Sequence, residues 1–248
     1  MSTNTQARAD KMPTLTIYHL EMRRSIRIVW TCEELGLPYR LVFKQGDLMG
    51  SMALLRAASP LMPIVPAVDL DGQILIESGA ILDLLVHRYG GGRLEPARDS
   101  ADYPYHLQWL HFAEGTAMCR IFAQLMASGM QRGAAAENPA ASFMVGPRAV
   151  FAFSEEFIAK HPYFGGSEFS TADIMMHVAV KAGAYAGLKL ADYPSLSAWR
   201  TRVEARPAFK RAMDAALPGG YDEDGNAYGL PIPGSNPPAV YQRPQPKG

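Results

Sequence analysis

Cysteine is nearly missing from these 248 residues: only Cys32 and Cys119 occur, far apart and in no Cys-x-x-Cys pair. That excludes a disulfide framework and a metal knuckle, and two reduced core cysteines are expected instead. An excess of charge of one sign is missing too, because 24 basic residues balance 24 acidic ones and the basic residues are scattered. Nucleic acid or an anionic membrane surface calls for a concentrated positive face. Small neutral molecules or small anions are therefore the expected partners. Long apolar runs are also absent. The opening MSTNTQARADKMPT has no apolar core of the secretory kind, and no later stretch reaches the roughly 18 uninterrupted apolar residues of a membrane span. A cytoplasmic location is expected.

What is present is apolar content, 48% of the chain, enough for one large core or two smaller ones. TLTIYHL (14–20) alternates in the manner of a buried strand, and a helix follows it to EELG, with Gly36 as its stop and Pro38 just beyond. YRLVFK (39–44) reads as a second strand, so the chain opens as a βαβ unit with parallel strands. After an irregular segment, VPAVDL and QILI are joined by Asp71-Gly72, a tight-hairpin pair, and a capped helix begins at Ser78. GGGRLEPARDSADYP reads as a linker. Beyond it the spacing is helical throughout, about five helices in YHLQWLHFAEGTAMCRIFAQLMASGM, RAVFAFSEEFIAKH, TADIMMHVAVKAGAYAG and SLSAWRTRVEARPAFKRAMDAAL. The expected divisions are 13–91, 100–217 and an irregular Pro/Gly-rich tail, 218–248.

Several motifs bear on chemistry. Proline cannot donate to a sheet ladder, so Val65-Pro66 at a strand start suggests a bend. A cis bond there would turn the free N–H and C=O of Val65 outward to pair with an extended peptide, although only about 5–6% of X-Pro bonds are cis. Glu77-Ser78 stands where a strand hands over to a helix. The helix N-terminus cradles a carboxylate, Ser78 adds a hydroxyl and Glu77 takes an ammonium, or the pair is simply a helix cap. Ser170 and Asp173 in FSTADIMM form an Asp variant of the capping box, a purely structural feature. His106 and His111, five apart, miss the four-residue spacing of a helical metal pair and read as core or interface residues.

The ordered set EELGLPYRLV, VPAV, DG, ESGAILDLL, FSTADIMM and AWRTRVEARPAF resembles the cytosolic glutathione transferase family, of bacterial type and unassigned class, from about Thr14 to Leu217. The resemblance implies a thioredoxin-like βαβ-ββα domain, 13–91, followed by an all-helical domain, 100–217, an α/β plus all-α chain that is a homodimer. It implies glutathione as co-substrate and no metal. Pro66 would be cis, Val65 would pair its backbone with the cysteinyl part of glutathione, Glu77 and Ser78 would hold the γ-glutamyl end, and Lys44 the glycyl carboxylate. An apolar electrophile would lie between the turn after the first strand and the helical domain, near Tyr103, Trp109, Phe112 and Met118.

The junction YHLEMRRSIRIVW departs from the family pattern. The places where many classes put a thiol-activating serine, cysteine or asparagine hold Met22 and Arg23. A thiol of pKa about 8.5 needs a donor or a positive charge to be mostly thiolate at neutral pH. Ser25 ranks first as that group, Arg23 second and Tyr18 third, with the helix N-terminus contributing in each case. Conjugation of glutathione to an electrophile is the leading activity. The alternatives are glutathione-dependent reduction of a disulfide, peroxide or ether linkage, and glutathione binding without catalysis. Maleyl-type isomerisation fits poorly, because its serine-serine-cysteine run is Met-Arg-Arg here.

Overall fold

The structure, a computed structural model, describes residues 12–130 and 146–220. Its first elements are β1 (Leu15–Tyr18), α1 (Ile26–Leu35), β2 (Arg40–Val42), α2 (Leu48–Ala58), β3 (Ala67–Leu70), β4 (Gln73–Ile76) and α3 (Ser78–Tyr89). The four strands form one sheet in the order β2-β1-β3-β4. β1 runs parallel to β2, whereas β1–β3 and β3–β4 are antiparallel. The β3–β4 turn has φ of 53° at Asp71 and 87° at Gly72, the two left-handed residues that a tight hairpin matched to strand twist requires. Gly36 ends α1 at φ 69°, a backbone region that costs glycine nothing.

The stretch expected to be irregular contains α2. Asp47 caps it by accepting the Gly50 N–H at 2.7 Å. Its buried residues are only Ser51 and Leu55, one turn apart, while Leu48 and Met49 face solvent. A stripe this narrow leaves little helical periodicity to read.

The described residues group into two compact units, one made of those up to Gly91 together with those from Arg206 on, the other of those in Gly92–Ala205. The last helix, α9 (Pro207–Ala216), therefore belongs to the first unit, not to the helical part that 100–217 assigned it to. The proline ring of Pro207 disfavours helical backbone at Arg206, which is extended (φ −64°, ψ 133°) and divides the helical stretch read over 195–217. α9 then lies on α1. Trp30 meets Phe209 edge to face at 4.8 Å, and the Arg206 guanidinium forks onto Glu34 at 2.6 and 2.8 Å. Arg211 Nε reaches Glu33 at 2.7 Å. Seven of the ten α1 residues are buried, which requires cover on both faces of the helix, and α9 supplies one of them.

In the second unit, α4 (Tyr103–Phe112) passes through a π turn (Ala113–Met118) into α5 (Cys119–Met130) as one continuous helix. α6 (Pro147–Ile158), α7 (Thr171–Ala182) and α8 (Pro194–Glu204) complete it, with two short 3-10 turns, Gly183–Ala186 and Leu190–Asp192. α7 is its axis, with ten of twelve residues buried. The expected capping box forms: Ser170 Oγ accepts the Ala172 N–H at 3.2 Å and Asp173 Oδ2 accepts the Ser170 N–H at 2.9 Å. Asp173 does more than cap. Its Oδ1 also takes the Phe164 N–H and the Trp199 Nε1–H, both at 2.8 Å, so one carboxylate ties three segments together. Of the tail from 218, Pro218–Gly220 forms a turn, and 221–248 lies outside the described residues.

Removing a shared buried acceptor orphans each of its donors, at about 1–3 kcal/mol apiece. Asp173→Ala should therefore lower unfolding stability by about 3–5 kcal/mol. Chemical denaturation measures this, and a loss below about 1 kcal/mol would count against the shared-acceptor role.

Candidate functional site

Sheet register gathers the candidate residues of the first unit. Tyr18 pairs with Val42 on one side and Ala67 on the other, and Ala67 pairs with Ile76. One end of the sheet therefore carries the exit of β1, the exit of β2 with Phe43 and Lys44, the entry of β3 at Val65-Pro66, and the handover from β4 to α3 at Glu77-Ser78. The ends of the parallel strands are where open α/β sheets characteristically bind ligands.

At the β3–β4 side, the Val65-Pro66 bond is cis. Val65 belongs to a buried apolar cluster with Leu20, Leu55 and Ala67, against which Tyr18 packs. Glu77 is exposed and holds φ 73°, ψ 107° immediately before α3. A non-glycine residue in such a region costs on the order of 1–3 kcal/mol and persists only where its surroundings fix it, which is common at binding sites. Ser78, the first residue of α3, is buried, and its Oγ accepts from Arg27 Nη1 at 3.0 Å. A guanidinium only donates, so the Ser78 hydroxyl keeps its own proton for another acceptor.

Arg27 was not singled out from the sequence, yet it is fully buried beneath the α3 N-terminus. Its positive charge adds to the partial charge of that helix end, favouring a carboxylate there. One signal was available. Arg27, Thr31 and Leu35 lie at four-residue intervals on α1 and all three are buried, so an arginine occupies a core-facing stripe.

The β1–α1 junction is a tight turn: the Arg23 N–H donates to the Leu20 carbonyl at 3.2 Å, with Met22 between them at φ 62°. Arg23 is exposed. Ser25 has no exposed surface, and its hydroxyl lies 2.8 Å from His19 Nδ1 and 3.3 Å from the Leu20 N–H that donates to it. The group ranked first for the glutathione sulfur is thus engaged inside the turn. The turn is braced on its other side by Glu21, which is buried and accepts the Gly46 N–H at 2.7 Å. Burial pushes its carboxyl above the usual range, and the Gly46 bond partly offsets this.

His19 and Glu21 also escaped sequence reading. His19 continues the β1 alternation of Leu15 and Ile17, both buried, and that alternation was its available signal. Lys44 is exposed, and its stem lies against the first turn of α2, where a Cβ on Gly50 would come within 2.6 Å of Lys44 Cδ.

The four residues assigned to an electrophile all lie in the second unit. Trp109 is fully buried with its ring among Phe112, Phe153, Phe157 and Phe164, at centroid distances of 4.6–5.3 Å. Met118 is buried as well, whereas Tyr103 and Phe112 keep partial exposure. Packing thus occupies Trp109 and Met118, and Tyr103 and Phe112 are the two with surface to offer. His106 is buried, 3.1 Å from Ser170 Oγ, and His111 is exposed.

A family model for the glutathione S-transferase N-terminal domain matches residues 13–86, and one for the C-terminal domain matches residues 131–207. Glutathione S-transferase 3 of Schizosaccharomyces pombe is 31% identical over 212 residues, which cover 81% of this chain and 87% of that one. The chain belongs to the glutathione S-transferase family. A theta class glutathione S-transferase from Xanthomonas axonopodis pv. citri, solved with glutathione bound, is similar at 26% identity and a TM-score of 0.60, over 81% of this chain and 97% of that one. The disulfide-bond oxidoreductase YfcG of Escherichia coli is 25% identical over 206 residues, 80% of this chain and 94% of its own. In this glutathione S-transferase the sheet and its helices are the thioredoxin-like domain, and Gly92–Ala205 provides the helical domain. Among the described residues no helix is long and apolar enough to cross a membrane.

The buried His19 of this transferase gives its stability a pH dependence. Burial lowers its pKa from 6.5 to about 4, against an opposing contribution from the Ala216 carbonyl. Between those values the unfolded chain binds the extra proton, so the stability is fully present above pH 6.5 and declines as pH falls toward 4. The full loss is ~3 kcal/mol, since each tenfold change in proton affinity is worth ~1.36 kcal/mol. Denaturation midpoints between pH 7 and 4.5 should fall more steeply for the wild type than for His19→Gln, and equal slopes would refute this assignment.

Proposed function

We propose that this glutathione S-transferase holds glutathione along the end of the sheet and conjugates its thiolate to an electrophilic carbon of an apolar small molecule. The observation that carries the reading is the Glu77-Ser78 handover, set over the buried Arg27 and adjoining Val65. Ser78, the α3 N-terminus and the Arg27 charge suit the α-carboxylate of the γ-glutamyl group, and exposed Glu77 suits its ammonium. The Val65 backbone takes the cysteinyl part and Lys44 the glycyl carboxylate. The sulfur then falls at the β1–α1 turn. With Ser25 engaged internally, activation is assigned to the Arg23 charge and the α1 N-terminus, with the Tyr18 phenol next in order. The thiol proton passes to solvent, the thiolate forms a carbon–sulfur bond, and the leaving group departs with its electron pair. Of the four residues expected to meet the apolar substrate, Tyr103 and Phe112 keep exposed surface for it, whereas Trp109 and Met118 are buried.

A second reading follows from the likeness to YfcG. There the same thiolate attacks a disulfide, and a second glutathione resolves the mixed disulfide, giving oxidised glutathione and two thiols. Incubation with a chlorinated nitroarene and with a dialkyl disulfide separates the two: aryl conjugate without oxidised glutathione supports transfer, and oxidised glutathione supports reduction. A bound thiol that keeps its free pKa would leave a binding protein without catalysis, the reading that Met22 and Arg23 motivate.

Arg23→Ala should raise the pKa of bound glutathione's thiol by about one unit and lower kcat near neutral pH about tenfold. Ser78→Ala should instead raise KM for glutathione about tenfold. Thiolate absorbance against pH and steady-state kinetics read both, and an unchanged thiol pKa in Arg23→Ala removes Arg23 from the assignment.

The enzyme is further proposed to act as a cytoplasmic homodimer. Support comes from the exposed apolar segment before β3, where Leu61 is 97% exposed and is joined by Met62 and Ile64. Leu61→Glu should weaken self-association at least about tenfold in sedimentation equilibrium, and an unaltered mass would remove this segment from the interface.

A further inference from the structure

The buried contacts of His19 reach from the proposed thiol site to the other end of the described chain. Its Nε2 lies 2.8 Å from the carbonyl oxygen of Ala216, the last residue of α9, and its Nδ1 lies 2.8 Å from Ser25 Oγ. The ring stands edge-on to Phe43 at 5.0 Å, and the residue is 1% exposed. A carbonyl can only accept, so the proton sits on Nε2 and the Nδ1 lone pair faces the Ser25 hydroxyl.

That assignment settles a competition. Ser25 has one proton and two acceptors within reach, His19 Nδ1 at 2.8 Å and the Leu20 carbonyl at 3.4 Å. With Nδ1 unprotonated, the shorter bond takes the proton, leaving the Ser25 lone pairs for the Leu20 N–H. The Leu20 carbonyl stays available to Arg23 N–H, which closes the turn around left-handed Met22. A non-glycine left-handed residue holds only where its neighbours are fixed. The polar chain thus runs Ala216 carbonyl, His19, Ser25, Leu20, and ends at the turn that carries Arg23. α9 is itself clamped to α1 by Arg206–Glu34, Arg211–Glu33 and Trp30–Phe209, so the Ala216 carbonyl is a fixed anchor.

We infer that His19 is a positioning residue for thiol activation, which sets the Leu20–Arg23 turn by linking it through Ser25 to the seated end of α9. The inference rests on the reading of that turn as the site of the glutathione sulfur. It does not make His19 a proton carrier, since both ring nitrogens are engaged and buried.

The two bonds of the imidazole can be removed one at a time in the full-length enzyme. His19→Gln retains a donor for the Ala216 carbonyl and loses the acceptor for Ser25, while His19→Asn retains that acceptor and loses the reach to Ala216. If the chain acts as one unit, both variants raise the thiol pKa of bound glutathione by about one unit, followed by thiolate absorbance, and lower kcat near neutral pH about tenfold with KM for glutathione within about twofold. A purely structural role would reduce the folded fraction and leave the thiol pKa of the folded protein where it was. A shift in His19→Gln alone overturns the link to α9, and no shift in either variant overturns the inference. If the wild-type enzyme does not lower the thiol pKa at all, the underlying reading of the turn fails, and this inference with it. Where a His19 variant does not fold, Ser25→Ala carries the comparison, because it removes one oxygen from the middle of the chain and is expected to give the same shift.

Discussion

The pairing of β1 with β3 is the constraint on which the site depends. It sets Tyr18 opposite Ala67, and Ala67 opposite Ile76 through the next ladder. A slip of one residue would turn Leu15, Ile17 and His19 from the core face to the other face, because strand side chains alternate. It would also move Val65 and Ser78 away from the β1 exit. The apolar face and the ligand end of the sheet are therefore fixed together, and burial of Leu15, Ile17, Val68 and Leu70 is the force that holds that register.

On this frame the charges divide by task. Arg27 is buried and donates to Ser78 at the α3 N-terminus, whereas Arg23 stands in solvent on the turn. A buried charge keeps more of its electrostatic reach than an exposed one, which salt and water screen. In the proposed binding mode, anchoring of the γ-glutamyl end is accordingly the steadier function, and tuning of the sulfur the one more open to change. Of the two residues at the places where the family resemblance expects a thiol-activating group, Met22 is half-buried and Arg23 is exposed.

The fold is legible in the sequence where its chemistry is local. Asp71-Gly72, Gly36 and the Ser170–Asp173 box each announce a turn or cap within a few residues, and each adopts it. The sheet brings Val65, Pro66, Glu77 and Ser78, the residues singled out by the family pattern, to one end, and the Val65-Pro66 bond is cis as that pattern implies. The sequence is less informative where a partner is distant or a residue breaks its usual habit. α9 was grouped with its neighbours in sequence because nothing in ARPAFKRAMDAAL names Glu33 and Glu34, more than 170 residues earlier, as its partners. Ser25 ranked first because hydroxyls suit thiols, while the imidazole that engages it was counted only as the end of a strand. Arg27 was passed over because arginine is rarely fully buried.

The break at Pro207 has a consequence for how the protein is made. The thioredoxin-like unit is discontinuous along the chain: its sheet is complete by Ile76, but the outer face of α1, with Trp30, waits for α9. On the ribosome, the whole helical unit must be synthesised before that face can be covered. Domains usually fold as they emerge, and exposed apolar surface in the interval favours misassembly. Glu33 and Glu34 give the uncovered helix a charged border during that time, and the same two carboxylates later receive Arg211 and Arg206. Among the described residues, the last helix of the first unit thus acts as the closing step of its folding, completing a core that β1 and α1 begin.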